Sequence, residues 1–428
     1  MPPRLRLSAV LVLLVTAVVA ALPPAAVAGP RSRTSALTRW LAGQIGPVRR
    51  APGAVVGSVR MQAAGEGAAT LSASTGSHPL RLVRSYLIPA ADPSATRLAN
   101  WSWTYDSAVT AVAFAVAGDH AHAAVLLDQL AALQGADGSI ATAFDVQTGE
   151  SSAVVRAGTV AWVGIAAAAY DHRFHTSRYA TVAGRAAGEL LALRSADGLV
   201  QGGPDVTWIS TQNNLLAYAL LTRLARDQHS PHPVAAARDA VAAKTIATGV
   251  STGLMSTAGG AHFTEGVGDA VLPLDVQSLG AMFLRSRGQN AVARQVVAFA
   301  NARFAVSDRS IVKSSAAPTF NETYAAAGPF SGYRPFAGSG TPDVLWFEGT
   351  AQMRAAAAAV GASTAGIDAS MRSWERITAH AGNAPLMAGR TIDAGGYGEY
   401  HVWPAAAGAA WAVLAADGPG LFPAPAGG

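Results

Sequence analysis

Polar residues interrupt an otherwise apolar chain at intervals of roughly 50 to 75 residues, a spacing that suits helical hairpins with elaborated loops. Each interruption opens an Ala-rich apolar stretch. An amphipathic stretch follows, and a turn closes the pair. The openings are Tyr105-Asp106, Arg156, Asn213-Asn214, Asp275 with Gln277, Glu348 with Gln352, and Glu399-Tyr400-His401 ahead of Pro404. Residues 107–117 are apolar on every side, as a helix inside a larger body must be. Residues 120–133 put Leu126, Leu127, Leu130 and Leu133 on one face and Asp128 and Gln129 on the other, which predicts an outer partner. Asp137-Gly138 ends that pair. The same order returns with 159–170, 176–193 and Asp197-Gly198. Both turns place a Gly, free to take positive φ, after a Leu-rich helix.

Later pairs are less alike: 215–224 with 233–247, 276–284 with 291–305, and 348–360 with 367–379. A last inner helix at 405–414 lacks a following partner. The amphipathic helix 34–46, with Leu37, Trp40, Leu41 and Ile45 on one stripe, is expected to take that place and close a ring. Around residues 54–75, Val55, Val56 and Val59 in a Gly/Ser/Thr setting predict short strands. The connections 249–275 and 309–345 are longer than packing requires, as functional or disordered loops are; Tyr324, Phe330, Tyr333 and Phe336 argue against disorder in the second. Length alone would suggest two or three domains. A repeat in which each hairpin packs only on its neighbours argues for one. The expectation is an all-α toroid over 101–420, with a segment 29–100 of helix and irregular strand packed on it.

Residues 1–28 read as a secretory signal peptide. Arg4 and Arg6 precede an apolar run too short for a comfortable membrane span, and Ala26-Val27-Ala28 supplies the cleavage site. The protein is therefore expected to be secreted, with no stable membrane insertion. Those two arginines also account for part of the formal charge of +5. The rest is not clustered with aromatics as a nucleic-acid groove would be, so no nucleic-acid partner is expected. The chain has no cysteine, which excludes disulfides, thiolate metal sites and a cysteine nucleophile. With 50% hydrophobic residues it has material for a large core. It carries no HExxH, no GxSxG in a strand–turn–helix setting, and no Walker or dinucleotide loop. His120 with His122 and His172 with His175 lack surrounding ligands. A monomer without metal or cofactor is expected.

Six segments carry a resemblance. Trp103-Thr-Tyr105-Asp106, the two Asp-Gly turns, Gly-Gly-Pro-Asp205-Val-Thr-Trp208, Leu-Pro-Leu-Asp275-Val-Gln277 and Trp346-Phe-Glu348-Gly-Thr-Ala-Gln352 are similar to the six-hairpin glycosidase superfamily over roughly Trp101 to Trp411. The resemblance implies an (α/α)6 toroid and a carbohydrate substrate. Toroids of this kind also include sugar epimerases, polysaccharide lyases and terpenoid cyclases. The family's glycosidases commonly invert, and inversion needs a carboxylate gap of roughly 6.5–9.5 Å to admit water.

Cleaving a glycosidic bond needs one carboxylic acid to protonate the leaving oxygen and a second carboxylate on the other side of the sugar. Asp106 follows Trp103 and Tyr105, and Glu348 follows Trp346. Rings can stack on sugar C–H faces while partial desolvation raises a carboxyl pKa toward that of a general acid. Asp275 is a third candidate. Each has a structural alternative, as a helix cap for Asp106 and Asp275 and as a dipole partner for Glu348. Asp205, Trp208, Asn213, Asn214, Gln277, Gln352 and Trp403 are candidates to bind sugar, with turn or cap roles as alternatives for Asp205 and the asparagines. Arg156 would bind a sugar carboxylate or pair with a nearby acid. Tyr400 and His401, next to Glu399, are what a lyase or epimerase on uronic acids needs to remove a proton. The preferred reading is a glycoside hydrolase using Asp106 and Glu348. Elimination or epimerisation of acidic glycans, or glycan binding without catalysis, are the alternatives.

Overall fold

The computed structural model describes residues 30–46, 60–63, 66–70, 78–226, 233–308, 330–378, 385–418 and 420–423. The expected signal segment, Val55, Val56, Val59 and Tyr324 lie outside the described residues. The helices in chain order are α1 (Pro30–Gln44), the one-turn α2 (Ala95–Leu98), α3 (Thr104–Val116), α4 (His120–Leu133), α5 (Ala157–Phe174) and α6 (Ala180–Ala192). They continue with α7 (Thr211–Arg226), α8 (Pro233–Gly249), α9 (Leu274–Ser286), α10 (Asn290–Phe304), α11 (Phe347–Ala359), α12 (Ala365–Thr378) and α13 (Ala406–Asp417).

Helices α3, α5, α7, α9, α11 and α13 pack side by side in that order, and α13 returns to α3. This is a closed inner ring. Each of the first five is backed by the helix that follows it in the chain, and α13 is backed by α1. The first helix thus supplies the outer partner that the last inner helix lacks. The structure is an (α/α)6 toroid. The sequence pattern explains the layering. In α3 every residue from Asp106 to Ala115 is buried, whereas α6 buries Val182, Ala183, Ala186, Ala187 and Leu190 on one side. Small residues let the inner helices approach closely. At Gly164 of α5 a Cβ would come within 2.4 Å of Leu220 and 2.9 Å of Ala186, on α7 and α6. No helix among the described residues is long and apolar enough to cross a membrane.

The two Asp-Gly turns are built alike. Asp137 Oδ1 accepts from the Ser139 main-chain N–H (3.0 Å) and hydroxyl (2.8 Å). Asp197 Oδ1 accepts from the Ser195 hydroxyl and the Leu199 N–H. Gly138 and Gly198 both take positive φ, +99° and +86°. A Cβ at Gly138 would also lie 2.1 Å from the carbonyl oxygen of Arg185, on the next outer helix. Gly138→Ala combines an unfavourable conformation with a clash against backbone. It is expected to destabilise the fold by at least about 2 kcal/mol, read as a lower urea midpoint at unchanged slope. An unshifted midpoint would show that the turn yields freely.

Short antiparallel strand pairs decorate the ring. Arg60–Ala63 pairs with Glu66–Thr70, within the region where strands were expected. Trp101–Trp103 pairs with Ala143–Asp145 and fixes the entry to α3. Leu272–Pro273 pairs with Phe336–Ala337, so the two long connections meet at the start of α9. Ile392–Asp393 pairs with Glu399–Tyr400 ahead of α13.

Candidate active site

The inner helices begin around a common pocket. It encloses about 940 Å³ counted out to its open mouth. Tyr105, Gln212, Asp275, Glu348 and Ala407 line it, and each is the second residue of its inner helix. In α5 that position is Gly158, and Trp162, one turn further in, faces the pocket instead. The N-terminal ends of the helices, where peptide dipoles favour negative charge, therefore surround the acids of the site.

Glu348 sits at the centre of a hydrogen-bond chain. Its Oε1 accepts from the Tyr105 hydroxyl at 2.5 Å and from Gln352 Nε2 at 3.0 Å. Tyr105 in turn accepts from Trp411 Nε1 at 2.7 Å, and Gln352 accepts from Ser278 at 3.4 Å. Four inner helices hold this one carboxyl. Burial pushes its pKa up to about 8, the donated bonds of Tyr105 and Gln352 oppose that rise, and the charges of Asp106 and Asp275 add to it. Glu348 is thus a neutral acid at neutral pH. Because Oε1 accepts both bonds, the proton belongs on Oε2.

Asp275 accepts from Gln212 Nε2 at 2.6 Å, and burial raises its pKa to about 6 against the pull of the Val276 N–H. Asp106 is buried at the pocket wall. Tyr86 and Tyr400 complete the polar lining. Burial, reinforced by the neighbouring carboxylates, keeps both phenols neutral well above their ordinary range. Trp103, Trp346 and Trp162 supply aromatic walls, and Phe336 meets Tyr397 across the rim with ring centres 4.9 Å apart.

The pocket thus gathers Asp106, Asp275, Glu348, Trp103, Tyr105, Trp346, Gln352 and Tyr400 from among the residues expected to act. The others stand elsewhere. Arg156 is buried and donates to Asp205 at 2.6 Å and to the Val155 carbonyl at 2.8 Å. Asn214 bonds the backbone of Val200 and Ser210, and Gln277 that of Phe263 and Pro273. Asn213 is buried beside it. Trp403 is fully buried, donates to Asp92 at 2.9 Å and is covered by the stacked ring of His401 at 3.7 Å. His401 turns its Nε2 to Glu399 at 3.2 Å, and burial lowers its pKa. Trp208 is half-exposed outside the pocket.

Sequence reasoning missed Tyr86, Trp162, Gln212, Phe336 and Tyr397 in the lining. The second-position rule would have found Gln212. It also missed Glu265, whose pKa burial raises to about 8, with Asp275 adding to the rise. Its carbonyl accepts the Thr211 N–H that precedes Gln212. No group of three or more His, Cys, Asp or Glu among the described residues is arranged to hold a metal ion.

Among solved structures, a wild-type glycosidase matches 92% of this chain and 98% of its own, at a TM-score of 0.56 and 15% identity. A family 76 glycoside hydrolase (mannosidase) from Bacteroides thetaiotaomicron matches 90% of this chain and 98% of its own, at 0.53 and 11%. A bacterial glucoamylase complexed with acarbose matches 76% of this chain and 51% of its own, at 0.56 and 13%. The likeness is one of fold, a helical toroid shared with these glycosidases. No protein-family model and no curated protein matches the sequence. In this six-hairpin toroid the pocket lies where the inner helices begin, with carboxyl groups from three of them.

Proposed function

We propose that the protein is an exported glycoside hydrolase that acts on a neutral poly- or oligosaccharide. One observation carries the reading: Glu348 is a half-buried carboxyl, hydrogen-bonded by Tyr105 and Gln352 and with its pKa pushed up to about 8, at the wall of a pocket that also presents Asp106 and Asp275. Glu348 donates its proton to the leaving glycosidic oxygen. Asp106, on an inner helix separated from that of Glu348 by α13, acts from the other side of the sugar as base or nucleophile. Asp275, oriented by Gln212, binds sugar hydroxyls. Tyr105 holds the acid in place, and the tryptophans flank the sugar ring.

The alternative on uronic acids has less support. The described lining contains Asp106, Asp275, Glu348 and Glu399 and no Arg, Lys or His, so a substrate carboxylate would meet only like charge. The structural neighbours carry neutral ligands or names: a variant of a similar glycosidase is solved in complex with glucose, and another neighbour is a mannosidase. Export rests on the sequence of residues 1–28.

The test is release of reducing ends from a glycan panel across pH. The acid must be protonated, so kcat/KM should fall as pH rises through about 8. Asp275 should be ionised, so the rate should also fall as pH drops below about 6. Tyr105→Phe removes a donor that favours ionised Glu348, and should move the alkaline limb upward. Reducing ends that appear together with ultraviolet-absorbing products, as elimination gives, or an alkaline limb unmoved by Tyr105→Phe, would overturn the assignment.

A further inference from the structure

We infer that Trp208 is a second sugar platform outside the pocket, and that the substrate is a glycan chain long enough to span both. The part of this inference that concerns turnover rests on the hydrolase reading. Trp208 is 39% exposed, the aromatic member of the exposed large apolar side chains among the described residues. A lone exposed tryptophan needs no explanation. This one is held in a fixed orientation. A Cβ at Gly202 would lie 2.5, 2.5 and 2.6 Å from Cη2, Cζ2 and Cε2 of the indole. Near-equal distances to three consecutive ring carbons place Gly202 over the face of the ring, not at its edge. The backbone of Gly202 supports one face, and the exposed part of the side chain lies outside that contact.

The support is itself braced. The Gly202 N–H donates to the Trp208 carbonyl at 2.8 Å, and the buried Arg156 holds Asp205 within the same turn. Asp205, three residues before Trp208 in the chain, keeps 59% of its side chain exposed, a carboxylate able to accept from sugar hydroxyls. The Val267 N–H donates to the Ile209 carbonyl at 3.0 Å, which sets the 56% exposed Val267 next to the residue after Trp208. An exposed indole in the same turn as an exposed carboxylate is chemistry suited to a sugar ring, with its apolar C–H face and polar rim.

Position links the platform to the pocket. Trp208 stands four residues before Gln212, which lines the pocket and holds Asp275. Four residues span at most about 14 Å of chain. On this proposal a glycan leaves the pocket past the start of α7 and reaches the indole.

The experiment measures binding and turnover of maltooligosaccharides and mannooligosaccharides from disaccharide to hexasaccharide. Calorimetry on full-length Glu348→Gln, with and without Trp208→Ala, reads binding alone. The intact platform should bind the hexasaccharide more tightly than the disaccharide. Trp208→Ala should reduce that ratio about tenfold, and Trp208→Tyr should retain most of it, because a ring remains. In the active protein, the same substitution should raise KM for the hexasaccharide without lowering kcat. Thermal unfolding of each variant separates a lost contact from a lost fold. A length ratio that survives Trp208→Ala, equal weakening at every length, or no binding at any length would overturn the platform. Loss of the ratio without release of reducing ends would keep the platform and remove the hydrolase reading. Release without any length effect would do the reverse.

Discussion

Glu348→Gln is expected to lower kcat on an unactivated glycan by about 10³-fold while changing KM little, since proton donation acts in the transition state. The substitution suits the site. The amide oxygen can accept from Tyr105 and Gln352 as Oε1 does, and the amide N–H replaces the proton on Oε2. Structure and binding should persist while acidity is lost. A leaving group that departs without protonation provides a second reading. On a dinitrophenyl glycoside the loss at the bond-cleaving step should be much smaller, because little proton transfer is needed there. Asp106→Asn should behave differently, with activity falling on activated and unactivated substrates alike. If Glu348→Gln costs less than tenfold on the glycan, or costs the same on both substrates, the proton comes from another group.

Trp403→Ala is expected to cost about 3–5 kcal/mol of stability. The residue is fully buried with Ile88, Leu98, Trp101 and Trp103. Its indole N–H donates to Asp92 Oδ2, and His401 and Tyr86 pack on its ring, at 3.7 and 5.8 Å between centres. Truncation opens a cavity and also leaves a buried carboxylate oxygen without its donor, a penalty separate from the lost packing. Urea unfolding should show a midpoint shift at unchanged slope. Phenylalanine would fill part of the space and still orphan Asp92, so Trp403→Phe should fall between the two. Loss of sugar affinity at unchanged stability would return Trp403 to the binding surface.

The hairpins could be read from the chain because two signals coincide in them. Helices apolar all round alternate with helices apolar on one side, and Asp-Gly turns end the first two pairs. Closure by the helix at Pro30–Gln44 followed from an unpaired last inner helix. The acids of the pocket were visible because a carboxylate at the start of an apolar helix is conspicuous against Ala. Helical phase was not visible. Asn213 and Asn214 are as polar as Gln212, yet in α7 it is the second position that faces the pocket, and one residue of shift turns a side chain by about 100°. Arg156 admitted two readings, a sugar carboxylate or a nearby acid, and the structure pairs it with Asp205. Tyr86, Phe336 and Tyr397 come from segments without periodicity, where no pattern tells a lining ring from a packed one.

The second-position rule ties chemistry to axial register. Each acid enters the pocket at a height set by where its helix sits along the ring axis. A slide of one residue moves a side chain about 1.5 Å along that axis, and a misplacement near 1 Å can cost about 100-fold in rate. The Ala-rich inner helices α5, α11 and α13 are smooth and offer their neighbours few ridges to resist sliding. The outer helices and the strand pairs at the helix entries therefore act as the ratchet that fixes height. Leu41 of α1, fully buried and not part of the pocket lining, belongs to the alignment of the site as much as to its stability.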